Sequence, residues 1–299
     1  MFLEFLPSCD IIYVCFIWRI SMKKFKTLLF STVPFFLAFG LQFVAVYYLL
    51  LIAAIFMFGI APSVQGVSYT IEALLELTTN MDFNTVLSMC FSVFCIAVFS
   101  IWYYKSYNGS FKLNLKKDFH PYEVLGIVLL VPATQFLSGI VAGIVSAAFP
   151  EWLEEYMELM ENAGLSGEIS LLMMIYSVCL APISEELIFR GVTYRIARRA
   201  FPFWIANIIQ ALLFGIFHMN PLQGCYTFVV GLFMGYICEK GGTLYHAIFF
   251  HFLFNLWGTT ASQWLEMGDE TTQAVIIMLG TIVGLSGGLY FLKKGNQSK

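Results

Sequence analysis

Pro182-Ile183-Ser184-Glu185-Glu186-Leu187-Ile188-Phe189-Arg190 closes an apolar run at 169 to 189 with three ionisable side chains. A charge at the centre of a bilayer costs about 2.5–3.5 kcal/mol on insertion scales, so charges in such a run pair with one another or mark a function. On a helix Glu186 and Arg190 stand one turn apart on one face and can neutralise each other. Glu185 points about 100° away from that pair and has no obvious local partner. The alternative is that Ser184 caps a helix beginning at a membrane surface, with the two acids favoured by its dipole.

The surroundings decide the fold. Hydrophobic residues make up 59% of the 299 and charged residues 12%, far from a soluble norm of about 25% charged. Apolar runs at 28 to 60, 86 to 104, 123 to 148, 169 to 189, 203 to 218, 222 to 238, 243 to 260 and 273 to 292 are long enough, or nearly so, to cross a bilayer. None shows the alternation of barrel strands, so they are predicted to be helices. The expected fold is all-α, a polytopic membrane bundle of about eight transmembrane helices.

Basic residues set its orientation. Lys23, Lys24 and Lys26, then Lys105, Lys112, Lys116 and Lys117, then Arg195, Arg198 and Arg199, then Lys240, then Lys293, Lys294 and Lys299 all fall at the same ends of alternating runs. The opposite ends carry Glu72, Glu76 and Asp82, the stretch Glu151 to Glu168, and Glu266, Asp269 and Glu270. By the positive-inside rule both termini are predicted to be cytoplasmic in a multi-pass protein of the cell membrane.

The run at 28 to 60 exceeds one bilayer and is expected to tilt, or to bend near Pro34 or Gly40. Residues 1–22 fit less well, carrying Glu4, Asp10 and Arg19. They read as a non-native or weak N-terminal extension, with Met22 a more natural start. A polar loop at 105 to 122, containing Asn108, Gly109 and Ser110, separates divergent N-terminal segments (23–122) from the rest (123–299). Residues 151 to 163 read as an acidic amphipathic helix with Trp152, Leu153, Tyr156, Met157 and Met160 on one side. Gly139 with Gly143 and Gly231 with Gly235 form GxxxG pairs, read as sites of close helix packing. The seven cysteines show no CxxC spacing and read as small buried hydrophobes. The net charge of −3 points to no nucleic-acid partner.

Two further polar clusters follow: Phe214 to His218 at the end of the fifth run, and His251 to Asn255 within the seventh. His251 and Asn255 share a helical face. A carboxylate, two imidazoles and a carboxamide thus project from three helices. Each cluster alone has a plainer explanation, His218 as an interfacial histidine and His251 with Asn255 as interhelical glue.

Together EExxxR (Glu185, Glu186, Arg190), FxxxH (Phe214, His218) and HxxxN (His251, Asn255) resemble the CPBP family of CAAX-protease and bacteriocin-processing (Abi) intramembrane endopeptidases. The likeness covers roughly residues 125 to 258, with Gly231 to Leu244 similar to what precedes the third motif. It makes 123–299 a CPBP-like protease core. It implies an enzyme that cleaves a peptide bond of a membrane protein or peptide in the lipid bilayer, such as a prenylated CAAX protein or a bacteriocin leader. Glu185 is expected to act as general base on a water shared with His218, with His251 and Asn255 on the oxyanion and Glu186–Arg190 as a supporting ion pair. No cofactor is favoured. The alternative is a zinc site of Glu185, His218 and His251, though HExxH is absent. His246 lies outside the family pattern and is given at most a supporting contact.

Function classes outside the family stay open on the residues alone. A transporter or proton-relay protein would place similar groups at the midplane, and a non-catalytic immunity-type protein would keep the fold. For the protease, the fourth helix is expected to continue past Arg190 towards Arg199, kinking at Pro182. The chain from His218 to Gly224 is expected to break within the membrane against a wet cavity.

Overall fold

The computed structural model describes residues 8–60, 72, 76–77, 80–107, 119–165, 169–260 and 269–298. Among them there are helices and no strand: α1 (Ser8–Ile60), α2 (Met81–Tyr107), α3 (Pro121–Ala148), α4 (Pro150–Asn162), α5 (Leu171–Ala197), α6 (Phe203–Phe217), α7 (Pro221–Gly241), α8 (Leu244–Thr260) and α9 (Glu270–Gln297). Each of the eight apolar runs lies on one of these helices. Six of them, within α1, α2, α3, α5, α7 and α9, are long and apolar enough to cross a membrane. The protein is a multi-pass helical bundle. Lys112, Lys116, Lys117, Glu168, Glu266, Lys299 and the loop Asn108 to Ser110 lie outside the described residues.

The helix starts follow local chemistry. His120 and Glu123 cap α3 reciprocally: Tyr122 N donates to His120 Nδ1 (3.3 Å), and His120 N to Glu123 Oε2 (3.0 Å). Ser170 caps α5, Asn220 caps α7 and Asp269 caps α9, each accepting a backbone N–H three residues on. Glu185 and Glu186 are therefore mid-helix residues, and Ser184 is not their cap. Glu185 stands at the middle of the 27-residue α5.

α5 is packed by α1, α2, α6, α7 and α8, while α3 runs along α7, α8 and α9. One apolar core joins Phe35, Phe91 and Phe99 of the N-terminal helices to Ile188, Phe189, Phe214, Met234 and Phe250. α1 begins at Ser8 and runs unbroken through Pro34, so residues 8–22 continue the first helix. α4 has no buried residue and touches α7 through Tyr156 Oη···Tyr226 Oη (3.3 Å).

The two GxxxG pairs behave differently. A Cβ on Gly235 would collide with Asn207 and Gln210 of α6, and one on Gly231 would meet Ala211 and Phe214 at 3.2 Å. The α6–α7 contact thus depends on bare backbone. A Cβ on Gly139 or Gly143 would meet nothing within 4 Å, so the packing expected there does not occur. Those two residues lie on a stretch of α3 whose Ile140 and Ile144 are exposed.

The basic ends of α2, α5, α7 and α9 collect at one end of the bundle. The ends of α2, α5 and α7 line a common cavity, Gly241 of α7 abuts His246 of α8, and Lys294 of α9 lies 4.3 Å over the Tyr122 ring of α3. This is the arrangement the charge alternation requires.

Candidate active site

α5 carries the site and is not a uniform α-helix. It widens into π turns at Tyr176–Leu180 and Leu187–Thr193, on either side of Ala181–Glu186. These π turns flank Pro182, where a kink is expected, and the helix runs on to Ala197 as anticipated. The cause is visible in the hydrogen bonds. Ala181 N donates five residues back to Tyr176 O, so the next carbonyl, Ser177 O, would take its π-register bond from Pro182, which has no N–H. Asn255 Nδ2 of α8 fills that gap, donating to Ser177 O at 2.8 Å. π turns of this kind are common at functional sites.

Glu186 and Arg190 form the anticipated ion pair. Arg190 Nη1 donates to Glu186 Oε1 at 2.8 Å, with both side chains fully buried. Arg190 Nη2 reaches across to Gly231 O of α7 (3.1 Å), and its guanidinium lies 4.5 Å over the Phe214 ring. The same carboxylate oxygen bonds His251 Nδ1 at 2.9 Å. A carboxylate paired with arginine accepts, so Nδ1 of His251 carries the proton and Nε2 is left for other work.

His251 Nε2 stands 3.7 Å from Glu185 Oε2. That is beyond a direct hydrogen bond but close enough for strong coupling. Glu185 keeps 16% side-chain exposure, whereas Glu186 has none. One glutamate is locked in the core and the other opens outward, joined through one imidazole.

α6 ends at Phe217, and the chain turns through His218, Met219 and Asn220 before α7 begins at Pro221. The helix is thus interrupted over His218–Asn220, and Gly224 already lies within α7. Met219 takes the turn at φ 56°, a conformation uncommon for residues other than glycine. His218 Nδ1 donates to Phe214 O at 2.9 Å, since a carbonyl can only accept. In the neutral ring this tautomer leaves Nε2 bare. The Phe214 ring meets His218 at 4.8 Å and His251 at 6.0 Å between centroids, both edge-on. Phe214 is thus the floor on which Arg190, His218 and His251 converge.

Asn255 departs from its expected pairing. It shares a face with His251, but the two reach different targets, His251 the acidic pair and Asn255 the backbone of α5. One Asn255 N–H is consumed and one remains. His246 lies away from this constellation: it stacks on Phe119 and bonds Thr243 Oγ1 (2.7 Å) and Glu123 Oε2 (3.3 Å). It ties α8 to α3.

Among the described residues no three His, Cys, Asp or Glu side chains stand close enough together to hold a metal ion. His218 and His251 each keep an Nε2 free of the bonds described.

Several supporting residues are not evident from motif spacing. Gln210 Nε2 donates to Asn207 Oδ1 (2.7 Å) and to Gly231 O (2.9 Å), and Asn207 Nδ2 donates to Leu232 O (3.0 Å). Gly231 O therefore receives both Arg190 and Gln210. Ser184 Oγ meets Ser92 Oγ of α2 at 3.3 Å. The available signal was two amides three residues apart in an otherwise apolar α6.

No curated protein and no solved structure matches the chain. Residues 167–257, running from just before α5 to near the end of α8, match the family model described as type II CAAX prenyl endopeptidase Rce1-like, and this matched segment holds every residue of the site.

Proposed function

We propose that the protein is an intramembrane endopeptidase in which Glu185 activates a water molecule for attack on a peptide carbonyl. The observation that carries this reading is the Glu185–His251–Glu186–Arg190 chain, with Glu185 Oε2 facing His251 Nε2 at 3.7 Å and Glu186 holding the other ring nitrogen. Two bare acceptors would repel at that distance, so the pair holds one proton between them. The mechanism uses Glu185 of that pair as the base and His251 Nε2–H as a donor, with Nδ1 held by Glu186.

The chemistry then balances without a further reactant. Glu185 takes a proton from water, whose other hydrogen is accepted by the bare Nε2 of His218. The water oxygen bonds the scissile carbon. Charge gathers on the former carbonyl oxygen, where the Nε2–H of His251 and the remaining N–H of Asn255 donate. The C–N bond breaks as Glu185 passes its proton to the leaving amine. Asn255 suits its part because an amide donates without titrating.

The family description names the substrate to try, a prenylated C-terminal CAAX peptide in a bilayer. Purified protein in liposomes is given farnesylated and unfarnesylated CAAX peptides, and products are read by mass spectrometry. Cleavage by the wild type, its loss in Glu185→Gln and its persistence under 1,10-phenanthroline are expected. Activity retained by Glu185→Gln would refute the base assignment. Activity lost with stoichiometric zinc under chelation, and restored by zinc, would replace it with a metal mechanism.

A further inference from the structure

At the basic end of the bundle the tips of α2, α5 and α7 enclose an open cavity of about 460 Å³, lined by Ser106, Tyr107, Tyr194, Arg195, Arg198, Arg199 and Glu239 among others. It lies at the tip of α5 beyond Arg190, and none of the residues proposed for catalysis lines it. Three arginines face one carboxylate. Glu239 is already engaged, accepting from Tyr194 Oη (2.7 Å) and Arg198 Nη2 (3.1 Å). Among the described residues, Arg195 and Arg199 meet no carboxylate.

What they do meet is aromatic. The Arg195 guanidinium lies 5.1 Å over the Tyr103 ring and 5.8 Å from that of Tyr107, and Arg199 lies 5.0 Å over Tyr107. Stacking occupies the face of a guanidinium and leaves its in-plane N–H edge free. Arg195 Nε is shielded from solvent and without a hydrogen-bond partner. Two unneutralised guanidinium forks in one concavity suit an oxyanion such as a phosphate.

We propose that this cavity binds the phosphate headgroup of an anionic phospholipid. The ends of membrane-spanning helices lie at headgroup depth, and by the positive-inside rule this is the cytoplasmic face. Basic pockets between helices at that face recognise such headgroups. Below the cavity α2 turns Ile101 and Tyr104 outward, both more than half exposed, as a surface for the acyl chains.

The test is native mass spectrometry of the full chain in detergent with dioleoylphosphatidylglycerol, dioleoylphosphatidylcholine, or inorganic phosphate. The wild type is expected to retain phosphatidylglycerol about tenfold more tightly than phosphatidylcholine, the effect of a little over 1 kcal/mol from basic groups near a surface. The double variant Arg195→Gln/Arg199→Gln should lose that preference. Arg199→Gln alone, at an exposed position, should weaken it several-fold without disturbing the fold. Glu239→Gln should strengthen binding by removing the only carboxylate among the described lining residues and freeing Arg198 from it, a gain that misfolding cannot imitate. Lys293→Gln/Lys294→Gln at the end of α9 should change nothing. The proposal is overturned by equal retention of the two lipids, by a preference that survives in both arginine variants, or by inorganic phosphate displacing the lipid at equal concentration, which would mark a soluble phosphate as the ligand.

Discussion

Asn255 offers a test in which structural and catalytic contributions separate. Its amide donates at 2.8 Å to Ser177 O, a carbonyl whose backbone partner is missing because residue 182 is proline. Asn255→Ala should therefore leave a half-buried carbonyl unpaired. Such a group costs about 1–3 kcal/mol, and interhelical bonds in membrane proteins fall at about 0.6–1.7, so about 1–2 kcal/mol is expected. At about 2–4 °C per kcal/mol the unfolding midpoint in detergent falls by about 2–8 °C. Pro182→Ala supplies the absent N–H, whether the helix keeps its π register or returns to α. In that background Asn255→Ala should cost about 1 kcal/mol less, giving a coupling well above the roughly 0.3–0.5 kcal/mol scatter of independent sites. Peptide cleavage, by contrast, should stay impaired in both backgrounds if the second N–H serves the oxyanion. Equal losses of stability with and without Pro182 would refute the account of the π turn. Full recovery of cleavage in the double variant would refute the catalytic part.

Glu185→Gln should lower kcat by about 10²–10⁴-fold with an unchanged unfolding midpoint, because Glu185 is partly exposed and lies 3.7 Å from His251 rather than in a direct bond. Arg190→Ala strips a fully buried partner from Glu186 and a donor from Gly231 O, and should cost about 3–5 kcal/mol together with activity, read by detergent-resistant folding and cleavage. Arg190→Lys should rescue only part of that, since a point charge cannot reach Glu186 and Gly231 O at once. Gly235→Ala drives a methyl group into Asn207 and Gln210 and should cost about 1–3 kcal/mol in thermal unfolding, whereas Gly139→Ala should be neutral.

Much of the fold was legible in one dimension because a bilayer makes strong demands. Runs of 17 or more apolar residues must be helical, and lysine and arginine must keep to one side, so helix positions and the grouping of basic ends followed from composition alone. The Glu186–Arg190 pair was legible for a similar reason: two opposite charges one turn apart in an apolar helix have few alternatives. The GxxxG pattern was not decisive, since Gly231 with Gly235 meets α6 while Gly139 with Gly143 meets nothing. A pattern of small residues permits close approach and does not say whether a neighbour is there.

The partners within the site were decided only in three dimensions. Helical spacing placed His251 and Asn255 on one face, but rotation and depth of α8 against α5 sent one to the acidic pair and the other to Ser177 O. The same holds for Phe214, which spacing marks as part of a motif and packing makes the floor beneath Arg190, His218 and His251. Periodicity along a chain fixes direction around one helix axis. Which group a side chain finally meets depends on the offset between axes, and that is set by bare glycines, buried amides and the one carbonyl that a proline left unpaired.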